Sequence, residues 1–307
     1  MNDPLIWYIL LGLMWSAFAA GMTWYILQMT RQITYVTLAD GRQQIRKMPF
    51  LLRLHLPLTP NIRGLFIRPF FARMRQKLDR RIVTAGYEGV VSSEDVLALR
   101  VLMPLLSGVL WIIFVRFSAA AAPGSIVDKA EILLNVLGIL WLHLYTDLWL
   151  KHAIKRRHHM IQKALPFVLD LLTLSVEAGM DFMTALQRNI QRRHVDALGE
   201  ELIRVIREIQ LGKTRAQALA DLSERVNLSD LRSVVNSLIQ ADELGVSIGS
   251  ILRIQADQMR QRRFERAEKL ANEAPVKMLF PLMVFIFPAV FLILLGPIIN
   301  RLLQEGF

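Results

Sequence analysis

The stretch SIGSILRIQADQMRQRRFERAEKLANEAPVKMLFPLMVFIFPAVFLILLGPII, residues 247–299, decides the fold. Its first part, Ser247 to Ala274, is rich in charge. It spaces Leu252, Ala256, Met259, Arg263, Ala267, Leu270 and Ala274 three or four apart, which puts them on one helical face. As a helix this part is a rod roughly 40 Å long. Pro275 and Lys277 follow, and residues 278–299 then run for 22 residues without a charge. That is enough to cross a bilayer core of about 30 Å. Pro281, Pro288 and Pro297 lie inside the apolar part. The pattern predicts a water-borne lever continuous with a membrane span.

Outward from this stretch, three more apolar clusters have the length of a span: Leu5 to Leu27, Leu97 to Phe117 and Ile132 to Leu150. With 53% hydrophobic residues, the chain is expected to be an all-α, polytopic membrane protein of four transmembrane helices, with a cytoplasmic bundle of six helices. It has no cysteine, which excludes disulfides and thiolate metal sites. Of its 37 Lys and Arg, 12 fall in residues 28–97 and 21 in residues 151–277. The positive-inside rule places both segments in the cytoplasm and both termini outside, for a multi-pass membrane protein. The net charge of +11 is accounted for by this orientation and by attraction to anionic membrane lipids. No nucleic-acid motif accompanies it, so nucleic acid is not an expected partner. Asp3 ahead of the first cluster and Arg31 after it reverse the polarity of a signal peptide.

The expected parts are an N-terminal transmembrane helix (1–30), a cytoplasmic basic segment (31–96), a transmembrane hairpin (97–150), the helical bundle (151–277) and a C-terminal transmembrane helix with a short tail (278–307). In the basic segment, Asp40-Gly41 is a hairpin turn signal. Arg63 to Ala85 patterns as one basic amphipathic helix, ended by Gly86. In the bundle, Ala164 to Val176 is too short to span and is expected to be a buried central helix, with Pro166 in its first turn. Gly179, Gly212 and Gly245 each precede an Asp181, Thr214 or Ser247 cap, which sets three helix boundaries. A fourth boundary is expected near Leu198-Gly199, and Ser229 is expected to cap a further helix.

Few groups carry chemistry. Gly212-Lys213-Thr214 resembles the end of a phosphate-binding loop, but Arg207 stands where the first glycine is needed and a helix precedes it. Lys151, His152, Lys155, Arg156, Arg157, His158 and His159 pattern as a membrane-facing basic collar, since so much positive charge disfavours a cation. His143 and Asp147, four apart in the third span, are a proton-relay candidate by chemistry and an interfacial pair by position. No nucleophile–base motif is present, so neither a catalytic residue nor a cofactor or metal is expected, and the protein is not expected to be an enzyme. The alternatives are a small membrane hydrolase or a transporter subunit using His143 and Asp147. Glu177 and Asp242-Glu243 lie in last helical turns, where the helix dipole disfavours carboxylates. Pairing of Glu177 or Glu243 with Arg263 would fix the lever, with solvated surface charge as the other reading.

The runs LPFVLDLLTLSVEAGMDFMTAL (165–186) and LIQADELGVSIGS to LILLGP (238–297), with the TAGY turn at 84–87, resemble the type II secretion system F domain family. Within it they are similar to the TadC-like platform proteins of the Tad/Flp tight-adherence pilus. Residues 28–62 do not match. The resemblance implies an inner-membrane platform for type IV pilus assembly, over a hexameric TadA-like secretion ATPase. It also implies a TadB-like sister platform protein, a Flp-type pilin as cargo, and a homo- or hetero-oligomer. Glu177 and Gly179 match the family's first E-x-G, and Glu243 and Gly245 the second. Gln255, Pro275 and Lys277 fall in the pattern leading into the last span. With Asp242, Arg263, Pro281 and Pro288 these are expected to be structural and coupling residues.

Overall fold

The computed structural model describes residues 35–37, 43–45, 48–121, 126–191 and 195–305. The expected first span (Leu5 to Leu27) and the Asp40-Gly41 turn lie outside these residues. Strands β1 (Tyr35–Thr37) and β2 (Gln43–Ile45), which flank that turn, pair antiparallel with Tyr35 opposite Ile45. The described elements after them are all helical: α1 (Phe50–His55), α2 (Pro60–Phe66), α3 (Ala72–Ala85), α4 (Ser93–Ala121), α5 (Ile126–Lys129), α6 (Glu131–Glu177), α7 (Phe182–Gln191), α8 (Ala197–Gln210), α9 (Arg215–Val226), α10 (Ser229–Leu244) and α11 (Ile248–Glu305), with short 3-10 turns between some of them. Among the described residues, α4, α6 and α11 are long and apolar enough to cross a membrane.

Two hydrophobic cores organise the chain. The larger joins the end of α6 to α7, α8, α9, α10 and the start of α11, a six-helix bundle around residues such as Leu165, Leu186, Leu198, Leu222 and Leu252. The glycine boundaries fall where the spacing predicts, with Gly179, Gly212 and Gly245 all at positive φ. Thr214 and Gln217 form a reciprocal capping box at the start of α9. The boundary expected near Leu198-Gly199 is the start of α8 at Ala197, capped by the Asp196 side chain, which accepts from the Gly199 N–H. Ser229 is the first residue of α10, and no side chain caps that helix.

The smaller core takes in the start of the second span, whose helix still has the length and apolarity to cross a membrane. Val96, Leu97, Ala98, Leu99, Leu102 and Met103, at the start of α4, are buried with Leu52, Leu56, Leu78, Ile82 and Tyr87. Apolarity alone cannot tell a lipid-facing turn from one buried in protein. The amphipathic helix expected over Arg63 to Ala85 is broken into α2, a 3-10 turn at Pro69–Phe71, and α3. Pro69 has no N–H to donate and forces Arg68 out of helical geometry, to the φ of −55° and ψ of 149° typical of extended chain.

The third span and the expected central helix are one helix. The 47-residue α6 passes straight through Pro166, which is buried inside it rather than opening a new helix. Its packed side continues across the proline as Leu150, Arg157, Ile161, Leu165, Val168 and Leu172. That continuous packing outweighs the one backbone bond a proline forfeits. By contrast α11, with 58 residues, is unbroken from bundle to apolar end, through Pro275, Pro281, Pro288 and Pro297.

Candidate coupling site at the root of the long helix

The first turns of α11 are held by apolar burial. Leu252 is wholly buried, and Ala256 and Met259 nearly so, in the bundle core. Gln255 is buried among them and donates from Nε2 to Ser237 Oγ at 3.2 Å. The stripe then leaves the core. Arg263 and Ala267 are exposed, as is Ala274, and Leu270 is 65% exposed.

Ion pairs flank this seam on both sides. On one side Arg253 Nε lies 3.1 Å from Glu177, and Arg260 Nη2 lies 2.6 Å from Asp170. The two arginines are seven apart on α11, and the two carboxylates are seven apart on α6. This is the matched spacing of two antiparallel helices two turns on. On the other side, Arg262 at 3.0 Å and Arg266 both reach Asp230, which also accepts from Gln162 Nε2 at 3.4 Å. The Asp230 side chain is only 7% exposed, whereas Arg253 and Arg260 are largely in water. Exposed pairs contribute about 0–1 kcal/mol each. Stripping a buried carboxylate of its partners costs about 3–5 kcal/mol. Asp230 is therefore the main electrostatic fastening, and nothing local in the sequence singles it out from an ordinary first-turn acid.

The expected pairing to Arg263 does not form. Glu177 pairs with Arg253, while Glu243 is exposed and has no ion partner among the described residues. Arg263 sits at the point where α11 leaves the core, in a groove with Pro166, Phe167, Asp170 and Phe264. Position on the apolar stripe directs it toward the seam between helices, and the arginines that reach carboxylates are those on the stripe's flanks. Asp242 does have a partner, Arg215 at the start of α9, whose guanidinium also lies over the Phe182 ring at 5.8 Å. Beyond the bundle, Lys277 pairs with Glu273 at 2.9 Å just after Pro275, and among the described residues no other element covers Pro281 or Pro288.

A second fastening joins the bundle to the smaller core. Arg157 is 4% exposed, and its Nη2 lies 3.0 Å from Glu200 and 2.9 Å from Glu201. Arg225 bridges Glu201 at 3.1 Å to Glu208 at 2.9 Å. Arg204 links Glu208 to Glu88, beside the 84–87 turn. Burial works against the charged Arg204 guanidinium, but the hydrogen bond and charge of Glu88, with Glu201 and Glu208, hold its pKa above the usual arginine value. In the turn itself, Thr84 donates to the Arg225 carbonyl at 3.0 Å, Gly86 packs against the Arg157 guanidinium, and Tyr87 meets Trp149 edge-on at 5.0 Å. The expected basic collar is thus divided. Arg157 faces inward and His158 Nε2 contacts the Val226 carbonyl at 2.8 Å, while Lys151, His152, Lys155, Arg156 and His159 remain exposed.

His143 and Asp147 do meet, through a third residue. Asp147 pairs with Arg100 of α4, with Arg81 at 4.0 Å, and His143 Nδ1 lies 3.1 Å from the Arg100 carbonyl. The group ties the hairpin helices together. Lys213 is engaged by Asp221 at 2.6 Å in the turn before α9, so the Gly212-Lys213-Thr214 sequence is a helix cap. Among the described residues no cluster of His, Asp or Glu could hold a metal ion.

The segment that carries both clamps on α11 and the apolar span has a counterpart among known families. Residues 168–296 match the type II secretion system (T2SS) protein F family. No curated protein matches the chain. No solved structure does either. The matched residues begin in α6 just before Asp170 and end in the apolar part of α11, so they contain every ion pair that fastens α11. The T2SS protein F match supports a membrane platform protein of the secretion and pilus type.

Proposed function

We propose that the chain is an inner-membrane platform protein of a Tad/Flp-type pilus assembly machine. In this reading it couples a hexameric cytoplasmic secretion ATPase to extraction of pilin from the membrane, beside a sister platform protein. The observation that carries the reading is α11: one helix, clamped to a bundle over its first turns and uncharged over residues 278–299. Displacement of the bundle is transmitted along it without a joint. Register supports the same reading. The pairs Arg253–Glu177 and Arg260–Asp170 run antiparallel, and continuing that register places Phe280 opposite about Leu150. The apolar ends of α6 and α11 then start at one level, as a single bilayer requires. The excess of Lys and Arg in residues 28–97 and 151–277 favours the cytoplasm for the bundle.

The chain supplies no nucleotide site in this scheme, and the ATPase partner supplies the energy. Glu177, Asp242 and Gln255 act by fixing helix packing, and Gly179 and Gly245 by ending α6 and α10. Pro281 and Pro288 leave the carbonyls one turn earlier without an intrahelical donor, which softens the span. Replacing both with Ala is expected to reduce piliation severely while membrane insertion is retained. Normal piliation in the double variant would remove the span from the force path.

A further inference from the structure

We propose that residues 50–74 form an inner-leaflet docking surface that recognises anionic phospholipid headgroups. This goes beyond the platform reading and rests on different residues. Hydrogen bonds fix where the segment lies. Thr59 Oγ1 donates to Asp95 at 2.8 Å, and His55 Nε2 lies 3.1 Å from Ser107 Oγ. The segment therefore runs along the first half of α4, where that helix turns Val101, Leu105 and Leu110 outward. Its own outer side is apolar: Phe50, Ile67 and Met74 are exposed, and Phe70 is 85% exposed at the tip of the 3-10 turn. Leaving a phenylalanine in water forgoes about 1.5–3 kcal/mol of burial, and here Phe50, Ile67, Phe70 and Met74 are all exposed. They belong to a segment hydrogen-bonded to α4, whose own exposed apolar residues need the same cover, and the proposal assigns one medium to both.

Charge selects the lipid. Arg68 and Arg73 bracket Phe70, are exposed, and have no ion-pair partner among the described residues. Their neighbours Arg63 and Arg75 are already engaged by Glu94. An aromatic tip between two free guanidinium groups suits the boundary between acyl chains and phosphates. Arg68 and Arg73 would hold lipid phosphates there while Phe70 enters the acyl layer.

The chain has no cysteine, so a single one can be introduced without background. Full-length protein carrying Phe70→Cys, labelled with a nitroxide, is reconstituted into phosphatidylcholine vesicles with and without phosphatidylglycerol. Labels at Leu110→Cys and Leu211→Cys provide span and water references. The label at position 70 is expected to collide with oxygen rather than with a water-soluble nickel chelate, as the label at 110 does, and more so with phosphatidylglycerol present. R68Q and R73Q are each expected to lower the preference for phosphatidylglycerol by about fivefold. A label at 70 that behaves like the one at 211 would overturn the proposal. So would shielding from both reagents, which would mean that protein, such as residues 1–34 or a second copy, covers the surface. Nickel access at 110 would overturn the span and the proposal together.

Discussion

The two long helices, α6 and α11, share a bundle but differ in how their apolar halves are packed. Each joins an apolar stretch to a part packed in the same bundle. The membrane half of α6 has α4 beside it, tied by Arg100–Asp147 and by Trp111 donating to the Leu134 carbonyl at 3.2 Å. The membrane half of α11 has no neighbour within the described chain, and its most apolar window is 0% buried. So α6 is packed along both of its halves, whereas the outer half of α11 is exposed. In the platform reading proposed above, the first is a scaffold and the second a transmitting arm.

The strongest way to break the comparison is to loosen the frame. Arg157→Ala removes the buried guanidinium shared by Glu200 and Glu201, of which Glu201 keeps Arg225, and a loss of about 3–5 kcal/mol in bundle stability is expected. Chemical denaturation of the purified full chain would measure it. Asp230→Ala attacks the arm instead. It leaves Arg262 and Arg266 without a carboxylate, but both are partly exposed and can return to water, so a smaller loss of about 1–3 kcal/mol is expected. Hydrogen exchange should quicken over residues 252–266 and stay slow over 161–172. Equal quickening of both would mean that the two helices move as one body. Arg253→Ala and Arg260→Ala come last, at about 0–1 kcal/mol each, because their pairs sit largely in water. A larger effect from either would assign the outer pairs a role in transmission rather than in folding.

Much of α11 was legible in sequence because two simple signals agree along it. Three-and-four spacing marks the part on the bundle, and a long uncharged run marks the part in the membrane. The unity of α6 was not legible, since Pro166 is a valid helix-start signal and only packing on both sides of it argues otherwise. The break at Pro69 was available in advance from the restriction on a residue before proline, which the apolar periodicity of Arg63 to Ala85 masks. The ionic fastenings were the least legible. Arg157 meets Glu201 across 44 positions and Arg266 meets Asp230 across 36, and no local pattern distinguishes these from solvated charges. Seven-residue spacing does occur in both 170/177 and 253/260, but it gains meaning only once the two helices are known to run antiparallel.

Gly86 shows how narrow the seam between the two cores is. A β-carbon at that position would stand 1.7 Å from Nη1 of Arg157, on a backbone whose φ of +76° already disfavours any side chain. The guanidinium has no slack to retreat, with two carboxylates gripping its other edge. One methyl group at residue 86 is thus a wedge: it would prise the hairpin module from the bundle beside the buried Arg157.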